Sequence, residues 1–188
     1  GAASARPRRL DFQRPLFLQQ ERRLTAAERG TAMHLVMQYL ELGGPDPEEQ
    51  VRQLTERRLL TPQQAEAVDT ERIRAFLATP LAQEIRQARQ VWREYRFALL
   101  MPATLYDPAA EGEELMLQGV VDCAFRTGEG LVVVDFKTDR LAPGEEPQRA
   151  EEYRPQLEAY AQALERVMEE KVCRKVLYFF STGATINL

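Results

Sequence analysis

The run Leu131-Val-Val-Val-Asp135-Phe-Lys137 closes on two side chains that can do chemistry together. Residues two apart on a strand share a face, so Asp135 and Lys137 point the same way, roughly 7 Å apart along the strand. Val132, Val134 and Phe136 point the other way. A strand apolar on both faces belongs in the middle of a sheet. Its charged end then sits where the core meets solvent, within reach of a metal or a phosphate. Asp-x-Lys alone is a common strand exit with an ordinary ion pair, so the pair gains meaning only if other groups converge on it.

A second acid converges. Thr127-Gly-Glu-Gly130 separates this strand from another over residues 115–125. Glycine at 128 suits a two-residue type II′ hairpin turn. With Thr127 paired to Gly130, counting back sets Asp122 directly opposite Asp135, their Cβ atoms roughly 5 Å apart. A slip of one residue would put the two carboxylates on opposite faces. Carboxylates that close repel, and one takes up a proton unless a cation compensates them. A hard divalent cation such as Mg²⁺, which takes oxygen ligands and keeps several waters, suits the pair. Lys137 beside it can position or deprotonate a water and offset charge on a phosphate.

The elements around this hairpin must complete the site. Thr25-Ala-Ala-Glu28 reads as a capping box opening a helix that runs to about Leu42 before Gly43-Gly44-Pro45. Its apolar stripe is Met33, Val36, Met37 and Leu40. His34, the chain's one histidine, lies about 60° round from Met37 on the stripe's edge, where a core-rim histidine is the ordinary reading. Gly30, one turn earlier, leaves room beside the imidazole. Helices over 47–60, from Thr61-Pro62, and over 70–77 and 80–88 read as packing and support. Residues 91–100 alternate as a strand. Val91, Arg93, Tyr95, Phe97 and Leu99 fall on one face, and Trp92, Glu94, Arg96 and Ala98 on the other. Glu94 is a further candidate acid at the edge of a site. On the 115–125 strand the same alternation groups Met116, Gln118, Val120, Asp122 and Ala124. Residues 140–150 read as a loop, and a helix follows from about Ala150 to Lys171. Gln156 and Tyr160 are one turn apart on it, with Tyr153 close by; an amide and a phenol so placed suit contacts to nucleic acid. Late strands at 176–180 and 185–188 close the sheet.

Bulk properties narrow the classes. The chain has 188 residues, 44% hydrophobic, the size of one domain with its own core. Residues 1–24, rich in Arg and Gln, read as an arm or linker from a preceding region, and 25–188 as the domain proper. The start at Gly1 rather than Met suggests a piece of a longer protein. No apolar run is long enough to span a bilayer, and no secretory signal is present. Cys123 and Cys173 fit a reduced, cytoplasmic protein and cannot supply a four-cysteine cluster. Net charge is −4, which argues against a strong free-standing nucleic-acid binder. Only three of the 25 basic residues are lysines, so the lysine in the Asp135 strand is less easily background. No P-loop sequence is present.

Four segments now stand in order: Gly30-Thr-Ala-Met-His34, Gln118-Gly-Val-Val-Asp122, Val134-Asp135-Phe-Lys137-Thr-Asp139 and Gln156-x3-Tyr160. Together they resemble the RecB-like branch of the PD-(D/E)XK nucleases, over nearly the whole chain. The ordered set is specific, although no single member is. Val121 stands where the superfamily's name has proline, as is common in this branch. The resemblance implies an α/β fold with a restriction-endonuclease-like core, a central mixed sheet flanked by helices, and an N-terminal helical block. It implies His34, Asp122, Asp135 and the Phe136 carbonyl as metal ligands, Lys137 as the catalytic lysine, and Gln156 and Tyr160, with Tyr153, as substrate contacts. Glu94 matches an acid often found in the strand before the core. Mg²⁺, for which Mn²⁺ substitutes, is the implied cofactor. The iron–sulfur staple of relatives such as AddB is not expected with two cysteines. The implied activity is exonucleolytic hydrolysis of single-stranded DNA during processing of double-strand breaks, in the bacterial cytoplasm. The implied partners are a helicase part of the same parent chain and a subunit like AddB. A degenerate nuclease fold that only binds DNA or a protein partner, and a nuclease for RNA or structured DNA, are the competing readings.

Overall fold

A computed structural model of the chain describes residues 8–11, by their backbone alone, and residues 24–188. Most of the expected N-terminal arm, with Arg6 and Arg14, lies outside the described residues. Among the described residues the sheet has six strands: β1 (Arg8–Asp11), β2 (Val91–Pro102), β3 (Glu114–Thr127), β4 (Gly130–Lys137), β5 (Val172–Phe179) and β6 (Ala184–Asn187). It is mixed. β2, β3 and β4 run antiparallel in turn, β4 and β5 are parallel, β6 returns antiparallel on β5, and β1 lies parallel to β3.

Helices cover both faces. On one side lie α1 (Ala26–Tyr39), α2 (Pro47–Glu56), α3 (Pro62–Ala67), α4 (Thr70–Leu77) and α5 (Pro80–Gln87). Their buried Met33, Val36, Ile73, Phe76 and Ile85 pack on Cys123, Phe125, Val132, Val134 and Phe136 of the sheet. On the other side α6 (Glu146–Met168) packs Leu157, Ala163 and Leu164 on Val121, Ala124, Val133 and Leu177. This apolar burial on both faces is why Leu131–Val134 reads as an unbroken apolar run. β4, α6 and β5 form the crossover that parallel strands require.

The hairpin register is the expected one: Thr127 pairs with Gly130, and the ladder runs back to Cys123 opposite Val134. Asp122 and Asp135 are the next residues on each strand. The turn itself differs from a type II′ turn. Gly128 is not at positive φ, whereas Gly130 is, at φ 141°, and a Cβ there would meet the Lys171 carbonyl oxygen at 2.6 Å. The Thr127 hydroxyl closes the turn by donating to Gly130 O at 2.9 Å.

Strict alternation fails at one level of the sheet. Val121 and Ala124, three residues apart, both face α6, as do Trp92 and Tyr95 on β2, while Val91 and Cys123 face the other layer. The grouping of Val91 and Arg93 with Tyr95, Phe97 and Leu99, and of Asp122 and Ala124 with Met116, therefore does not hold across this level. At this level stands Glu94, left-handed at φ 51°, between Arg93 (opposite Cys123) and Tyr95 (opposite Val121), and so across from Asp122. A non-glycine residue held there carries strain, a feature that concentrates at functional sites.

Several helix ends also differ from expectation. α1 stops at Tyr39 rather than near Leu42. The buried Gln50 side chain takes over the backbone beyond it, accepting from Glu41 N–H at 2.8 Å and donating to Glu41 O and Pro45 O at 3.0 and 2.7 Å. Thr25 accepts the Glu28 N–H at 3.1 Å, but the returning bond from Glu28 is absent; the complete capping box is at Thr61 and Gln64. α6 starts at Glu146, four residues before the expected position, with Pro147 in its first turn.

Candidate active site

The site forms where β3 changes neighbours. On the edge away from β2, β3 pairs with β1 over Leu115–Gln118 and with β4 over Cys123–Thr127. Residues 119–122 lie in the fork between. A cleft of about 830 Å³ opens there, lined by α1 (Gly30, His34), β2 (Glu94, Arg96), β3 (Asp122), β4 (Asp135, Phe136, Lys137) and α6 (Tyr153, Gln156, Tyr160). Every residue singled out as a candidate thus borders one cleft.

α1 is set by contacts at both ends. The Arg93 guanidinium, half-buried, donates to Met37 O at 3.2 Å and to Leu40 O, satisfying carbonyls that the helix end leaves open. Near the other end a Cβ on Gly30 would meet Thr138 Oγ1 at 2.8 Å. The space that glycine leaves is taken by Thr138, not by an approaching ligand. This close seat brings His34 across the strand ends.

The His34 ring faces acceptors on both sides. Nδ1 lies 2.8 Å from Gly30 O, which fixes a proton on that nitrogen. Nε2 then lies 3.1 Å from Asp122 Oδ2 and 2.9 Å from Phe136 O. A lone pair facing two oxygens is repulsive unless a proton or a cation sits among them. Asp135 is 5% exposed, and its Oδ2 has no aligned hydrogen bond although Lys137 Nζ is 2.6 Å away. These three donors, with the buried Asp135 carboxylate ion-paired to Lys137 beside them, are of the types a divalent cation takes. Among the described residues no group of three or more His, Cys, Asp or Glu side chains is placed so as to hold a metal ion by itself. The candidate set adds the Phe136 carbonyl to the His34, Asp122 and Asp135 side chains, and a hard cation that keeps several waters needs few protein ligands.

The two acids are electrostatically unequal. Burial pushes the Asp135 carboxyl up to about 7, the Asp122 charge adds to the rise, and Lys137 opposes it. Burial also pushes Asp122 up, but His34, Asp135 and the Phe136 N–H at 2.8 Å together hold it well below the ordinary carboxylate range. The linkage has a definite sign. Without metal the folded state keeps a proton on Asp135 that the unfolded chain releases at about pH 4. The stability this contributes is complete below that pH and is lost as pH rises through about 7. Asp122 titrates below this window. Urea midpoints in chelator are expected to fall as pH is raised from 5 to 7.5, and Mn²⁺ is expected to restore more at pH 7.5 than at pH 5. A midpoint that rises over this range in chelator would contradict the assignment.

Lys137 is held from several directions. Besides Asp135, Nζ donates to Gln156 Oε1 at 3.0 Å and lies 3.8 Å from the centroid of the Tyr153 ring. Gln156 Nε2 donates to Tyr160 OH at 3.1 Å. Tyr160, 3% exposed, stacks edge-on to Phe97 and closes over Gly119, where a Cβ would meet its Cε1 at 2.8 Å. Pro155 sits inside α6 in the same turn. Sequence reasoning gave no role to Asp139, whose Oδ2 accepts from Tyr153 OH at 2.7 Å and from Arg149 at 2.9 Å. Its place in the Asp135-x-Lys137-x-Asp139 alternation was the available signal. Glu94 borders the cleft, 3.6 Å from Arg96.

With this geometry stand the comparisons with known proteins. The family model described as "PD-(D/E)XK nuclease superfamily" matches residues 5–186, and the chain belongs to that superfamily. It is similar to the AddA chain of Acetivibrio thermocellus, an "ATP-dependent helicase/nuclease" component, at 44% identity over 179 residues, covering 93% of this chain and 14% of that protein. The same-named proteins of Pelotomaculum thermopropionicum and Bacillus velezensis match at 41% and 37% identity, covering 95% and 94% of this chain and 15% of each relative. The chain thus spans about one-seventh of the length of these relatives. The family match agrees with the resemblance carried by the four segments. No described helix is long and apolar enough to cross a membrane.

Proposed function

We propose that this chain is a divalent-metal-dependent exonuclease domain that hydrolyses phosphodiester bonds of single-stranded DNA. In this reading it belongs to a larger ATP-dependent helicase–nuclease of the AddA type. The observation that supports the reading most is one convergence. His34 Nε2 lies within 3.1 Å of both Asp122 Oδ2 and Phe136 O, and the buried Asp135 carboxylate, ion-paired to Lys137, precedes Phe136 in the chain. His34, Asp122, Asp135 and the Phe136 carbonyl would hold Mg²⁺, or Mn²⁺ in its place. When bound, the cation supplies charge to the scissile phosphate and acidifies an attacking water.

The chain's own residues do the rest. His34 is oriented by its Nδ1–H bond to Gly30 O, which leaves Nε2 facing the donor set. Lys137 Nζ stands beside Asp135, where it can hold the attacking water in line and offset charge that develops on the phosphate. Gln156, Tyr160, Glu94 and Arg96 line the cleft in which the strand would lie. The net charge of −4 suits a domain to which a helicase part of the same parent chain delivers the strand. The setting proposed is double-strand-break end processing in the bacterial cytoplasm, in partnership with a subunit like AddB.

The test is cleavage of an end-labelled single-stranded oligonucleotide with Mg²⁺, Mn²⁺ or chelator. Shortening from an end that requires the cation is the expected result. Binding of the oligonucleotide without cleavage, under all three conditions, would support the inactive DNA-binding module instead.

A further inference from the structure

The geometry points to Tyr153 as a positioning residue for Lys137: we infer that its ring face, braced by Asp139 and Arg149, holds the ammonium in the place where it acts. This rests on the nuclease reading for its consequence but not for its geometry. Lys137 Nζ lies 3.8 Å from the ring centroid, close for a cation over an aromatic face. Only 12% of the lysine side chain is exposed, so the attraction is little screened. The ring is itself held. Its hydroxyl donates to Asp139 Oδ2 at 2.7 Å, and the same oxygen accepts from Arg149 Nη1 at 2.9 Å. Asp139 lies two residues beyond Lys137, and Arg149 one helical turn before Tyr153, so the latch closes the end of β4 onto the first turns of α6.

The consequence concerns geometry rather than binding. A lysine has a long flexible stem, and the Asp135 and Gln156 contacts alone leave its third side open. The Tyr153 ring closes that side. The ring face orients Nζ, and the hydroxyl bond to Asp139 is a secondary brace on a ring already seated on α6.

The experiment compares Tyr153→Phe and Tyr153→Leu by two readouts. In steady-state cleavage of single-stranded DNA with Mg²⁺, Tyr153→Leu is expected to lower kcat about 10- to 30-fold with KM little changed. Tyr153→Phe, which keeps the ring face, is expected to recover kcat to within about 3-fold of the parent chain. Second, with only three lysines in the chain, ¹³C-lysine labelling resolves each side chain by NMR, and Lys137→Arg assigns one signal. The Lys137 Hε protons are expected to be shifted upfield by the ring in the parent and in Tyr153→Phe, and not in Tyr153→Leu. Equal losses in Phe and Leu with a raised KM would make Tyr153 a substrate contact and overturn the inference. So would an unshifted Lys137 signal in the parent. If the parent chain cleaves nothing, the nuclease reading fails, while the NMR comparison still decides the inference.

Discussion

Asp135→Asn is expected to abolish cation-dependent cleavage, by more than about 10³-fold, while making the metal-free protein more stable at pH 8. The two effects have one cause. Asp135 is buried, and its carboxyl is pushed up to about 7 first by burial and then by Asp122. At pH 8 the metal-free protein therefore holds an ionised group in a place that disfavours it. Asparagine fills the same space without the charge. Lys137 loses its partner at 2.6 Å but keeps Gln156 Oε1 and the Tyr153 face. The gain is expected to be about 1–2 kcal/mol, or a few degrees in Tm. The same exchange removes a charged ligand from the donor set, and with it transition-state stabilisation of several kcal/mol. Thermal melts in EDTA and in Mn²⁺ check both halves: a higher Tm in EDTA, and a lost Tm increment on adding Mn²⁺. A variant that is less stable in EDTA and still gains from Mn²⁺ would show that Asp135 is a structural acid.

Lys137→Met is expected to lower kcat by about 10²- to 10⁴-fold, the range for a group that positions or moves a proton in the reaction. It is expected to leave the Mn²⁺-dependent rise in Tm in place. Methionine keeps an unbranched apolar stem against Tyr153 and removes only the ammonium. Lys137 is not in the donor set, and its charge opposes a cation at Asp135, so its loss does not weaken cation binding. The contrast between the variants separates the roles: Asp135→Asn loses both binding and turnover, and Lys137→Met loses turnover alone. Loss of the Mn²⁺ increment in Lys137→Met would mean that the lysine is needed to build the site.

How much of this was legible in the chain depended on what local chemistry fixes. The register that brings Asp122 opposite Asp135 was legible because a short turn between two apolar runs leaves few pairings, and Thr127 with Gly130 is the one formed. The turn type was not. Gly130 rather than Gly128 takes positive φ, and Lys171 O lies where a Cβ on Gly130 would go, a tertiary constraint that the turn's own residues do not announce. The reversal of faces at Glu94 was also hidden. Glutamate has no preference for left-handed backbone, so nothing local announces it. From its own helix His34 was legible only as an edge residue; its meeting with Asp122 and Phe136 O came from the resemblance, and in the structure it goes with Gly30 seating against Thr138. The start of α6 could have been read from Pro147, since proline in a first turn marks a helix start. The Asp139–Tyr153–Arg149 latch joins residues 10 and 14 apart across a loop, a spacing that no helix or strand period picks out.

The most direct test of a cation held by His34, Asp122, Asp135 and Phe136 O is an anomalous difference map from crystals soaked in Mn²⁺. The expected result is a peak in the fork of β3, within bonding distance of His34 Nε2, both carboxylates and the Phe136 carbonyl oxygen, with Lys137 Nζ outside that shell. A fork without a peak in crystals whose dissolved protein still cuts DNA with Mn²⁺, or a peak bound by other residues, would contradict it.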